Sequence, residues 1–159
     1  MKIMKHLNKI PLTLLAICSL FLAADALAAP PAEPARIQLQ LAPVEVAAGE
    51  QTQLNLMLTP IDGVKINRYP KIKLKIEAQD GVVAAAETAV GNEKAPAPGE
   101  MDKNYFKTVD PLALMLSIDP AAKAGTHELE AKLTYFYCVS ASGFCAPKTV
   151  PVKFAVKVR

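Results

Sequence analysis

The chain has 159 residues, 52% of them hydrophobic, with 18 Lys+Arg against 15 Asp+Glu, 13 Pro, three Cys, two His and no Trp. That length holds one domain, or one domain plus a targeting segment. A net charge of +3 gives little footing for nucleic acid, and two histidines exclude any site that needs several imidazoles.

The N-terminus reads as an address. Lys2, Lys5, His6 and Lys9 precede an apolar run over 10–24, and Ala26-Leu27-Ala28 then forms a small-residue cleavage site. This is the layout of a secretory signal peptide over residues 1–29. The apolar run is shorter than the ~20 residues that span a bilayer. Cys18 sits inside that run, with Ile17 where a lipoprotein signal has a small residue, so it leaves with the signal. About 130 residues remain, with a net charge of +1, two cysteines (Cys138 and Cys145) and one histidine, His127. That is enough chain for one hydrophobic core. The expected product is a soluble periplasmic protein, in a compartment where disulfides persist.

Residues 30–36 are a Pro-rich lead-in, and 37–159 read as one all-β domain. Ile37, Leu39 and Leu41 alternate with polar residues, as do Val44 and Val46 and then Ile72, Leu74 and Ile76, while Leu54, Leu56 and Leu58 alternate with Asn55 and Met57. The pattern returns at 112–118, 129–137 and 150–158. Alternation with one apolar face marks antiparallel strands packed on one side. All seven glycines fall between these runs or at their ends. About seven to nine strands in this length predict an immunoglobulin-like antiparallel β-sandwich, with a small closed barrel as the alternative. Residues 119–125 read as one helical turn. Residues 89–104 lack alternation and read as a long mobile loop. Pro151 inside the last run marks an edge strand or a bulge.

The most informative stretch is 135–147. Two strands approach through a short Ser/Gly turn with Cys138 and Cys145 at its two ends. Directly opposite antiparallel residues lie close enough for a disulfide, and the signal peptide and the spacing favour one here. The plainer reading is a structural clip. Closing an eight-residue loop contributes roughly 2.5 kcal/mol in the chain-entropy model. Tyr135 and Tyr137 point to the core on the strand pattern, which sends Phe136 and Cys138 to the outer face, where a partner can reach a sulfur. Four of the mature chain's eight aromatics flank the two cysteines, and Tyr105-Phe106 follow the 89–104 loop.

These segments resemble the N-terminal periplasmic domain of the DsbD thiol–disulfide interchange proteins. The resemblance rests on Tyr135-Phe136-Tyr137-Cys138, Gly143-Phe144-Cys145-Ala146-Pro147 and Thr149-Val150-Pro151-Val152, with Asp62-Gly63-Val64-Lys65-Ile66-Asn67 and Tyr69-Pro70 upstream. It covers most of 43–158, and its specific part is the cysteine hairpin. It implies an immunoglobulin-like fold and a Cys138/Cys145 pair that passes electrons between a membrane conductor and thioredoxin-like periplasmic proteins. It also implies a cap loop over the pair, a role that falls on Tyr105 and Phe106, with Phe136 and Phe144 as further shielding rings. Six residues separate the cysteines where that family usually has five, and the resemblance covers no conductor domain, so the expected conductor would be a separate protein.

Two functions follow. One is a thiol–disulfide interchange module, in enzyme terms a protein-disulfide reductase, with Cys145 facing the partner. The other is a non-catalytic immunoglobulin-like envelope binding module with a structural Cys138–Cys145 bond. No cofactor is implied. With one histidine and two bonded cysteines a zinc site lacks ligands. His127 reads as a satisfied sheet histidine, and Lys71, Lys73 and Lys75 as a solvated strand face. N-terminal sequencing of the exported protein should return Ala29 or Pro30; an intact Met1 would overturn the signal peptide.

Overall fold

The computed structural model describes residues 36–159. The signal peptide, Cys18 and nearly all of the lead-in lie outside the described residues. Nine strands follow in order: β1 Ile37–Leu41, β2 Val44–Val46, β3 Gln51–Pro60, β4 Val64–Ile66, β5 Ile72–Ile76, β6 Ala86–Val90, β7 Leu112–Ser117, β8 Gly125–Val139 and β9 Cys145–Val158. They form a three-stranded sheet, β1-β3-β7, and a larger sheet, β2-β9-β8-β5-β6, with β4 also pairing β8. This is the immunoglobulin-like β-sandwich that the alternation predicts. Every pair of strands is antiparallel except β2 with β9, which run parallel. Among the described residues no helix is long and apolar enough to cross a membrane.

The alternating apolar residues form the core. Leu54, Leu56 and Leu58 of β3 and Leu112, Leu114 and Leu116 of β7 face Ile72, Leu74, Ile76, Leu129, Leu133 and Tyr135 of the larger sheet. The polar partners of each alternation face water. On the larger sheet they form ion pairs, Lys73–Glu87, Lys75–Glu77, Lys153–Glu130 and Lys157–Glu45. The hydrogen bond and charge of Lys157 hold the Glu45 carboxyl below its ordinary range, and Lys75 does the same for Glu77. Such exposed pairs contribute little to stability.

The longest ladder joins β8 to β9 over fourteen residue pairs, from Gly125↔Val158 to Cys138↔Cys145. Val139 N–H bonds to Phe144 O beyond the cysteines. By the alternation of an antiparallel ladder, the cysteine pair is then a non-hydrogen-bonded pair, with Cα atoms 4.1 Å apart. Pro147 and Pro151 share that parity, so their missing N–H groups fall on the side away from β8. β2 reaches only Val156–Val158 on that side, so among the described residues Pro151 lies on an unpaired margin, the edge position its residue type indicates.

Two sequence expectations about local structure change, and one strand is new. The 89–104 segment is not one loop. Ala89 and Val90 finish β6, and Met101–Asn104 form a short 3-10 helix. The Ala-Glu-Thr-Ala composition of β6 gives too weak an apolar alternation to read as a strand. Residues 119–125 make a turn rather than a helix, with Asp119 Oδ1 accepting the Ala121 N–H at 2.7 Å. β4 is only three residues, too short for periodicity to show. His127 Nε2 lies 2.7 Å from Lys123 O, which satisfies it as expected. Leu133→Ala should cost about 2–5 kcal/mol in denaturant unfolding. Its exposed neighbour variant Lys132→Ala should stay within about 0.5 kcal/mol of the parent; equal effects would refute this placement of the core.

Candidate functional site

The site is built on the turn end of the β8–β9 hairpin. A five-residue turn, 140–144, returns the chain, with Gly143 at φ +68° and its N–H on Val139 O. That left-handed conformation favours glycine. Ser140 N–H bonds to Gly63 O, which ties the turn to the turn before β4. Cys138 and Cys145 are bonded, as the spacing predicts.

The two sulfurs have different surroundings. Cys145 is exposed, and its Sγ approaches only Gly143 O, at 3.7 Å. Cys138 is 5% exposed. This corrects the expectation that Cys138 stands open on the outer face. The strand parity holds, but the cap covers that face. Tyr105 Oη–H donates to Cys138 Sγ at 3.6 Å, and Asn67 Oδ1 lies 3.5 Å from the same sulfur. In the reduced state the Cys138 thiol can donate to that oxygen.

The cap is held by backbone. β4 and β5 both run along β8, but between Asn67, whose N–H bonds to Phe136 O, and Lys73, opposite Thr134, the chain makes an excursion out of the sheet. It contains the cis Tyr69–Pro70 peptide. Asn104, only 2% exposed at the end of the 3-10 helix, grips this excursion twice. Its Oδ1 accepts the Tyr69 N–H at 2.9 Å, and its Nδ2 donates to Tyr69 O at 3.0 Å. Arg68 N–H bonds to Asn104 O, and Phe106 N–H to Ile66 O. Asn67 and Tyr105 form an isolated bridge. Tyr105 is thus pinned from both sides above Cys138. Behind the excursion, Gly91 adopts φ +135°, and a Cβ there would sit 2.2 Å from Arg68 O.

The four shielding candidates divide. Tyr105 reaches a sulfur. Phe106 packs against the core and lies under the Arg68 guanidinium, 5.0 Å from ring centroid to Cζ. Phe136 is half-buried on the outer face two residues before Cys138. Phe144 is 55% exposed beside Cys145, with its ring 6.4 Å from and edge-on to Tyr137. Sequence reasoning gave Asn67 and Asn104 no role. They are the only two buried polar or charged residues described, and only the topology shows why. Among the described residues no group of three His, Cys, Asp or Glu is placed to hold a metal ion.

No protein-family model and no curated protein match the chain. Solved structures similar to it include murine CRIg, at 9% identity and a TM-score of 0.38, covering 79% of this chain and 99% of that one. Another is AggA, the major subunit of aggregative adherence fimbriae type I from Escherichia coli, at 11% identity and a TM-score of 0.36, covering 77% of this chain and 94% of that one.

Asn104→Ala removes both bonds to Tyr69 and leaves its part-buried backbone N–H and C=O short of partners. It should destabilise the domain by about 1–3 kcal/mol. It should also speed reduction of the disulfide by a small thiol, because the cap loosens. Lost stability with an unchanged reduction rate would refute the capping role.

Proposed function

We propose that this immunoglobulin-like disulfide domain is a periplasmic thiol–disulfide interchange module. The supporting observation is the unequal setting of its two sulfurs, with Cys145 exposed at the hairpin end and Cys138 enclosed by Tyr105 and Asn67. Exchange needs one sulfur that a partner reaches and one that leaves.

The electron balance is simple. A partner thiolate attacks Cys145 Sγ, a partner–Cys145 S–S bond forms, and the Cys138–Cys145 bond breaks. The electron pair leaves on Cys138 Sγ, where the Tyr105 hydroxyl is already aimed as a donor. A second partner thiolate then takes the partner sulfur from the mixed disulfide, and Cys145 is released reduced. Run backwards, the Cys145 thiolate attacks a partner disulfide and Cys138 resolves it. Thioredoxin-like periplasmic proteins and a separate membrane electron conductor are the partners that the DsbD resemblance suggests.

A second reading is a non-catalytic immunoglobulin-like envelope binding module with a structural clip. The register supports it, since the cysteines are direct partners at the end of a fourteen-pair ladder. Equilibration of the purified protein with a thiol–disulfide buffer separates the two. Interchange predicts a potential above about −300 mV and exchange with a thioredoxin-like protein. A lower potential with no exchange would identify the clip. The Cys138→Ala/Cys145→Ala variant should remain folded in either case, less stable by about 2.5 kcal/mol.

A further inference from the structure

Three cation–aromatic contacts occur among the described residues, and all lie at the disulfide end. The Arg36 guanidinium is 5.5 Å from the Tyr137 ring centroid, the Lys65 ammonium 4.9 Å from that of Tyr105, and the Arg68 guanidinium 5.0 Å from that of Phe106. Lys65 is the register partner of Cys138, and the ring beneath it carries the hydroxyl that meets the Cys138 sulfur. No ion pair engages Arg36, Lys65 or Arg68 among the described residues. Lys73 and Lys75 of β5 and Lys153 and Lys157 of β9 differ, since each faces a glutamate.

The imbalance is concentrated in a groove of about 530 Å³ beside the cap. Lys65, Arg68, Lys103 and Lys107 line it, with Tyr105 and Phe106 between them. Asp102 in the groove and Glu100, paired with Lys103, offset two of the four charges. At the opposite end of the large sheet a hollow of similar volume is lined by Glu77, Glu128, Glu130 and Lys153. The groove thus keeps an excess of positive charge beside the sulfurs, whereas in the hollow Glu77 and Glu130 are offset by Lys75 and Lys153.

We propose that this cationic rim docks an acidic partner, a redox protein whose reactive cysteine is bordered by carboxylates. The inference rests on the interchange reading and adds the partner's chemistry to it. A groove of one sign draws in partners of the other and repels like charge. Cations resting on rings have fewer rotamers left to lose on binding. Three of the four groove cations are exposed and Arg68 is half-buried, as suits a protein face more than an enclosed small-anion site.

The test uses three cysteine peptides of equal length, flanked by Glu, Gln or Lys. Each reduces the oxidised protein by thiolate attack at Cys145, and a second peptide thiolate completes the two-electron step. Rates are compared per thiolate. The Glu peptide should react about tenfold faster than the Lys peptide at low salt. That ratio should collapse in about 1 M salt, where screening acts within about 3 Å. Lys65→Gln/Arg68→Gln should bring the ratio toward one, while the distant Lys73→Gln/Lys75→Gln should keep it. Reduction by all three peptides with no charge ordering would overturn the acidic-partner inference and leave interchange standing. Failure of every peptide to reduce the bond would overturn interchange, and this inference with it.

Discussion

The β8–β9 ladder is the constraint on which the rest of the molecule depends. Its fourteen pairs place Tyr135 and Tyr137 in the core and set Cys138 against Cys145. β4 and β5 dock along one margin of β8, and β2 along the far end of β9. A one-residue slip would turn every apolar residue of the slipped strand outward and separate the cysteines. The register is therefore over-determined by burial along most of its length. The disulfide adds a constraint at the one end where burial gives out, since β9 alternates fully buried residues only from Val152 onward.

That distribution bears on whether the bond can open. The core lies below the hairpin end, in the facing rows of Leu, Ile and Val. Opening a bond across an eight-residue loop gives up about 2.5 kcal/mol of chain-entropy stabilisation, and none of the buried rows of the core rests on it. The cap is likewise fastened independently of the sulfurs, through Asn104 and the Tyr69 backbone. A reduced molecule would keep both its sandwich and its cap.

Much of the fold was legible in the sequence because it is periodic. The long alternations at 54–58, 112–117 and 129–137 are strands of the expected parity, and the fold class followed from them. β4 and β6 were not legible, one too short and the other too rich in alanine. The cysteine pairing was legible from local spacing. The burial of Cys138 was not, because the groups that cover it come from positions 67 and 105, each more than thirty residues away in sequence. Asn67 and Asn104 look like ordinary loop polar residues until the excursion between β4 and β5 is seen. The clustering of unpaired cations has the same origin, since Lys65, Arg68 and Lys107 meet only in three dimensions.

Pro147 and Pro151 carry a consequence of their own. Both occupy the outward-bonding phase of β9, so the margin nearest the sulfurs has N–H donors there only at Cys145, Thr149 and Lys153. An extended chain laid along it would find every second donor missing between Cys145 and Lys153. Strand addition, a common route to both recognition and aggregation at sheet edges, is thereby disfavoured. Contact at Cys145 then leans on side chains, which select by shape and charge, more than on the backbone that all proteins share.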